Sequence, residues 1–212
     1  MARAITFLMI CLMMVVASSL SLSAIEKIVL KPVRKGSVSG KEVVSGNLFK
    51  GPTIVFAVRR PGWVLCREEA SDLAALQKAG KLGKATIIGI IKEVAPCATA
   101  KTDEELGVSE FQEKYFPYPL YLDEEKGFYE ALGKRTFSNL EGTWNPFKFF
   151  EGLKSIGNRI KTKSLEGNMR GEGLILGGIF VISPKKKSFT TFPENTGKEI
   201  PALEIIAAIK DC

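Results

Sequence analysis

Thr53 to Val58 (TIVFAV) is an unbroken run of apolar and β-branched residues. A strand buried on both faces reads this way. Pro61 and Gly62 end it. From Trp63 the period changes, and Val64, Ala70, Leu73, Ala74 and Leu76 predict a helix to about Lys78, closed by Gly80 and Gly83. Ala85 to Ile91 (ATIIGII) is a second buried strand. Further on, the pattern predicts a helix over Glu104 to Tyr115, a short strand over Pro119 to Leu122 and a short helix over Glu124 to Gly133. A strand follows over Leu174 to Ile182, and Ser188 to Phe192 pairs with it as a hairpin across a lysine turn. Ile200 to Ile209 predicts a closing helix. Residues 25 to 50 are basic and broken by Gly36, Gly40 and Gly46, which leaves room for a short strand or two.

Strand, helix, strand within about forty residues implies a right-handed crossover and a parallel pair. The full order is β-α-β-α-β, then strand, hairpin and helix. This fits an α/β thioredoxin-like fold, a central mixed sheet flanked by helices, although the order alone also fits other α/β folds. With 212 residues and 45% hydrophobic content, one domain with a full core is expected over residues 25–212.

The first 24 residues are set apart. Arg3 precedes an apolar run from Ile5 to Ala17 and a small-residue stretch, the layout of a secretory signal peptide cut after Ser23 or Ala24. Its rival is an uncleaved anchor, because Ile5 to Leu22 approaches the length of a spanning helix. The expected location is the secretory pathway, either secreted or in the ER lumen. The alternatives are anchoring by the leader, which alone would bring membrane contact, or a plastid address in two parts.

The net charge is +7. The one basic run, Lys185 to Lys187, falls between two β-like segments and reads as a solvated turn, so no nucleic-acid partner is expected. There is no histidine, which removes histidine-dependent triads and most zinc sites. Of four cysteines, Cys11 lies in the leader. Cys66, Cys97 and Cys212 form no disulfide framework and suggest one reactive thiol with candidate partners.

Cys66 falls in the first turn of the helix that follows a parallel strand, at the sheet edge where open α/β folds place their sites. Unpaired amides and the helix dipole favour an anion there. Arg59, Arg60 and Arg67 add positive charge, and together these features are expected to lower the thiol from its free value of about 8.5. Glu68 and Glu69 pull the other way, less so where they face solvent.

RRPGWVLCREEASDL (59–73), YLDEEKGFYEALG (121–133) and GNMRGEGLILGGIFVI (167–182) resemble the peroxiredoxin-like 2 family. This is a branch of the alkyl hydroperoxide reductase and thiol-specific antioxidant group, with redox-regulatory and prostamide/prostaglandin F synthase members. The resemblance implies a thioredoxin-like fold and thiol-based antioxidant chemistry, with Cys66 as nucleophile. It implies a peroxide or apolar peroxide-like substrate and an external thiol reductant, such as a thioredoxin or glutathione system. It also places Trp63, Gly177 and Gly178 at the substrate pocket. Two departures stand out. Trp63 occupies the first position of the family's Cys-x-x-Cys pair, which removes the second sulfur of a dithiol cycle. Gly177 stands where true peroxiredoxins place an arginine. A prostaglandin-type endoperoxide reductase and a catalytically decayed scaffold therefore remain alternatives. Cys97 lies in the loop after the second parallel strand, at the same expected edge as Cys66, and is the candidate resolving thiol. Cys212, at the terminus, is a second candidate partner.

Trp144 to Lys163 carries Phe149, Leu153, Ile156 and Ile160 at helical spacing among lysines and arginine, which suits a helix over the sheet edge or a wall of an apolar pocket. Gly171, Gly173, Gly177 and Gly178 do not connect a strand to a helix, so dinucleotide and phosphate-loop readings fail and no cofactor is expected. They read as close backbone approach. Asp123-Glu124-Glu125 reads as a helix N-terminus rather than a metal site.

Overall fold

The structure is a computed structural model, and it describes residues 22–136, 154 and 156–212. Its centre is a mixed eight-stranded sheet. The strands are β1 (Val29–Arg34), β2 (Ser37–Val38), β3 (Val43–Val44), β4 (Thr53–Ala57), β5 (Thr86–Ile91), β6 (Leu120–Leu122), β7 (Gly178–Ser183) and β8 (Ser188–Pro193). They lie in the order β2-β1-β6-β5-β4-β7-β8, with β3 also paired to β1. β4, β5 and β6 run parallel, and β7 lies antiparallel to β4 with Ala57 opposite Gly178 and Thr53 opposite Ile182. The helices are α1 (Leu22–Ile25), α2 (Val64–Lys78), α3 (Asp103–Leu106), α4 (Val108–Glu110), α5 (Gly127–Ala131), α6 (described over 156–162) and α7 (Ala202–Lys210).

All five β4 residues are buried because both faces of the sheet are covered. Ile54 and Phe56 join Ile179 and Val181 on the face packed by Ala70 and Leu73 of α2 and Ile205 of α7. Val55 and Ala57 join Phe180 and Ile182 on the opposite face, under Phe128 and Tyr129 of α5 and Leu22 and Ile25 of α1. The period of two in the sequence thus becomes two separate apolar layers.

The thioredoxin-like layout is present, with three local corrections. The helix expected over Glu104 to Tyr115 is broken at Gly107 (φ +69°) into α3, α4 and a wide turn over Phe111–Tyr115. A Cβ at Gly107 would lie 2.8 Å from an Arg67 guanidinium nitrogen, so the break lets the chain pass close to α2. The strand expected from Leu174 starts only at Gly178, because residues 174–177 instead cross the sheet edge and pair at Thr136 and Arg135. The short helix expected from Glu124 starts at Gly127. Asp123 caps it, its carboxylate accepting from the amides of Gly127 (3.1 Å) and Phe128 (2.9 Å). The acidic triplet is therefore a helix start, as its sequence suggested.

The lysine turn closes the β7–β8 hairpin and is exposed. The leader to residue 21 lies outside the described residues, and so does most of the Trp144–Lys163 segment, whose described part forms α6. The expected cleavage positions, Ser23 and Ala24, fall within α1. No helix among the described residues is long and apolar enough to cross a membrane.

Candidate functional site

Val58 ends β4 by donating its amide to the Ile90 carbonyl (2.8 Å), and the chain then turns through Arg59–Gly62 into α2. Trp63 is the N-cap and supplies no side-chain bond to the first turn. Cys66, the third residue of α2, therefore sits where backbone N–H groups are unpaired. The amides of Arg59 and Arg60 also donate to its sulfur. This is the anion-favouring placement expected from sequence. Its electrostatic outcome is reversed, however. Cys66 is 1% exposed, and burial pushes its thiol well above the ordinary range, reinforced by Glu69 and Glu194 and opposed by the two amides. The expectation of a lowered thiol is corrected: desolvation disfavours the thiolate more than two amides restore it.

The arginines explain part of this. Each of the three donates at least one hydrogen bond to a strap, residues 166–173, that lies across the Cys66 loop. Arg59 donates from Nε to the Gly173 carbonyl (2.6 Å) and from Nη1 to Glu194 Oε1 (3.2 Å). Arg60 donates from Nη1 to the Met169 carbonyl (2.6 Å). Arg67 donates to the carbonyls of Pro61 (3.2 Å) and Glu166 (2.8 Å) and to Glu110 Oε2 (2.6 Å). The strap in turn donates the Asn168 amide to the Gly62 carbonyl (2.7 Å). Gly167 packs so closely that a Cβ would lie 2.8 Å from both the Gly62 carbonyl oxygen and the Val64 nitrogen. Arg60 Nε is buried without a partner, the one guanidinium N–H of this kind among the described residues. It lies close enough to Cys66 for their charges to couple.

Trp63 is half-buried between two guanidinium groups, with Arg59 Cζ 4.4 Å and Arg60 Cζ 5.6 Å from the ring centroid. It shields the loop and offers no hydroxyl. Gly177 cannot carry a side chain, because a Cβ there would overlap the Ala57 carbonyl oxygen. Its amide donates to Glu194 Oε2 (2.9 Å). Gly177 thus contributes only its backbone here, and Gly178 lines a cleft with Phe56, Glu69 and Ile179.

The β4 and β5 loops emerge at one edge, as expected from the parallel pairing, and Cys97 packs against the apolar layer that contains Cys66. Both thiols are free. Cys97 Sγ lies 3.5 Å from Glu93 Oε2 and 3.2 Å from Thr99 Oγ1. Cys212 does not reach the site. Its thiol donates to the Ala208 carbonyl (3.2 Å) near Ile182, at the opposite end of β7 from Gly178.

Several site residues escaped the sequence reading. Glu194 is buried and paired with Arg59, but its setting, PENTG, reads as an ordinary loop. Glu172 pairs with Lys92 and accepts from the Leu174 amide (2.6 Å), an arrangement that joins residues far apart in sequence. Glu68 is buried and held by Arg159 (3.0 and 3.1 Å), not turned to solvent. Glu69 is half-buried, and a signal existed for it: three residues beyond Cys66, it shares that helix face. The Glu68, Asp72 and Glu199 carboxylates converge, but Lys163 lies within 3.0, 2.8 and 3.7 Å of them, so a cation already neutralises the cluster.

Comparison with known proteins settles the lineage. Residues 98–195 match the model of the AhpC/TSA antioxidant enzyme family. Peroxiredoxin-like 2A from Bos taurus is 35% identical over 173 residues, covering 79% of this chain and 68% of the relative. The chain belongs to the peroxiredoxin-like 2 family. The human member is 30% identical, across 76% of this chain and 64% of its own length. The prostamide/prostaglandin F synthase of Salmo salar is 27% identical, across 86% and 88%. Among solved structures, the bacterioferritin comigratory protein of Xanthomonas campestris superimposes with a TM-score of 0.53 at 14% identity, over 89% of this chain and 94% of that one. Enterococcus faecalis AhpC gives 0.52 at 10% identity, over 86% of each chain. At these identities the structures establish the peroxiredoxin-like fold alone.

Proposed function

We propose that this peroxiredoxin-like chain is a thiol-based antioxidant or redox-regulatory protein that uses Cys66 as its single nucleophile. The observation that carries the reading is the placement of one sulfur at the start of α2, with the Arg59 and Arg60 amides directed at it. Family membership supports it. In the oxidising half-reaction the sulfur attacks the terminal oxygen of a hydroperoxide, the O–O bond breaks, and the thiol proton leaves with the alcohol: Cys–SH + ROOH gives Cys–SOH + ROH. An external thiol then condenses with the sulfenic acid to give a mixed disulfide and water, and a second thiol releases Cys66. Trp63 removes the usual in-motif resolving sulfur, so reduction passes to the external thiol or to Cys97. Because burial keeps the resting sulfur protonated, turnover is slow at neutral pH and rises with pH.

A coupled assay of hydroperoxide consumption with thioredoxin or glutathione as reductant tests this. Cys66→Ser abolishes consumption and Cys97→Ser reduces it at most partly. Equal consumption by wild type and Cys66→Ser overturns the assignment. A second reading, reduction of an endoperoxide, draws on the similarity to the Salmo salar synthase. Preference for an endoperoxide over a hydroperoxide in the same assay selects it.

A further inference from the structure

The carboxylates around the flank of α2 are matched with cations, except one. Glu68 is held by Arg159 (3.0 Å) and Lys163 (3.0 Å), Asp72 by Lys163 (2.8 Å) and Glu194 by Arg59 (3.2 Å). Glu199 lies 3.7 Å from Lys163. Glu69 is the exception. Nothing among the described residues offers its carboxyl a hydrogen bond or an ion pair. It is nonetheless half-buried, and burial is the largest influence on its carboxyl. Glu69 lines a cleft of about 300 Å³ between the end of β8, the chain before α7 and the flank of α2. Phe56, Ile179, Phe192, Ile200 and Pro201 make the rest of that cleft largely apolar. A cavity of this size, with apolar walls and few polar groups, is the usual form of a small-molecule site.

We propose that this cleft binds a small organic amine, its apolar chain against Phe56, Ile179 and Phe192 and its ammonium group paired with the Glu69 carboxylate. The inference does not rest on Cys66 being the nucleophile. An unpaired carboxylate in an apolar wall is costly, and a cation carried on an apolar body satisfies both the charge and the wall. The surrounding charges favour the same head group. Burial raises the Glu69 pKa well above the ordinary 4.5, and Glu194, Glu68 and Asp72 add to the rise against a smaller lowering by Arg59. Carboxylates that favour a proton on Glu69 also favour an ammonium group in its place, and they repel an anion. Lys198 and Glu199, the other charged lining residues, are exposed and opposite in sign. Cys66 is the remaining titratable group on which Glu69 acts. Proton and ammonium compete for one carboxylate. Binding therefore releases to solvent any proton that Glu69 still holds, and affinity rises with pH until the carboxyl is fully ionised.

The test uses three probes of matched chain length: hexylamine, hexanol and hexanoate. Their binding to wild type, Glu69→Gln and Cys66→Ser is measured by titration calorimetry at mildly alkaline pH, where an alkylammonium keeps its charge. Backbone amide shifts locate the bound probe. Wild type binds hexylamine at least ~tenfold more tightly than hexanol, and hexanoate more weakly than either. The amides of Thr191, Phe192 and Ile200, which line the cleft, shift on titration. Glu69→Gln loses the preference for the amine, and Cys66→Ser keeps it. Equal affinity of wild type for hexylamine and hexanol, an unchanged preference in Glu69→Gln, or shifts confined to other parts of the chain overturns the proposal. Loss of the preference in Cys66→Ser also overturns it, since the site is then not independent of the thiol.

Discussion

At the scale of single residues, burial raises the pKa of two acids in the first turns of α2. Cys66 and Glu69 are both pushed up by burial, and Glu69 adds to the rise of the thiol. For a group whose folded pKa is raised, stability is present below its unfolded pKa and lost as pH rises through the folded one. Glu69 therefore costs stability at neutral pH and not in acid. Glu69→Gln should raise the thermal midpoint at pH 7 and leave it nearly unchanged near pH 4, as followed by circular dichroism. Alkylation of Cys66 should reach half its maximal rate above pH 9.0, the ordinary value from which burial displaces it. The Arg59–Glu194 pair is buried on both sides, at 5% and 3%. Glu194→Ala removes the carboxylate partner of that guanidinium and leaves the Gly177 amide unpaired, a loss of about 3–5 kcal/mol in urea unfolding. The location of Cys66 was legible in the sequence because a helix start after a buried strand is a local pattern. The direction of its pKa was not. It depends on burial by the folded chain and on Glu194, more than a hundred positions later.

At the scale of elements, the strap decides what the arginines do. Three guanidinium groups adjacent to a thiol in sequence look like a device to hold an anion. In the folded chain they hold the carbonyls of Glu166, Met169 and Gly173. Arg60→Met should loosen the strap without unfolding the sheet. Hydrogen exchange should accelerate at the Asn168 amide, which bonds the Gly62 carbonyl, while β4 and β5 remain protected. On the other face, Tyr129 of α5 donates its hydroxyl to Val58 (2.8 Å) and lies 3.1 Å from the Ile90 carbonyl, tying the ends of β4 and β5 just behind the Cys66 loop. Tyr129→Phe should lower stability by ~1–3 kcal/mol in the same unfolding assay. Helix α2 and strand β4 were readable because apolar periodicity alone specifies them. The break at Gly107 and the late start of β7 were not, since each answers a tertiary approach: the chain passing Arg67 in one case, and Gly177 pressed on the Ala57 carbonyl in the other.

At the scale of the whole molecule, a parallel β4–β5–β6 core with an antiparallel β7–β8 hairpin brings three distant blocks to one edge. These are the Cys66 loop, the Cys97 loop and the segment from the strap to Glu194. The order of elements and the three family-like blocks made the fold and this edge legible. The cleft was not, because it joins Phe56, Glu69, Ile179 and Ile200, which no local pattern groups together. The fold thus encloses one sulfur, Cys66, at this edge and keeps Cys212 at the far end of β7. The most direct test is site-resolved: one equivalent of hydroperoxide is added to the folded protein in the presence of dimedone, and the peptides carrying Cys66, Cys97 and Cys212 are weighed. Dimedone on Cys66 ahead of the two more exposed thiols is the predicted result. Cys66 remaining a free thiol while Cys97 and Cys212 oxidise would contradict the account.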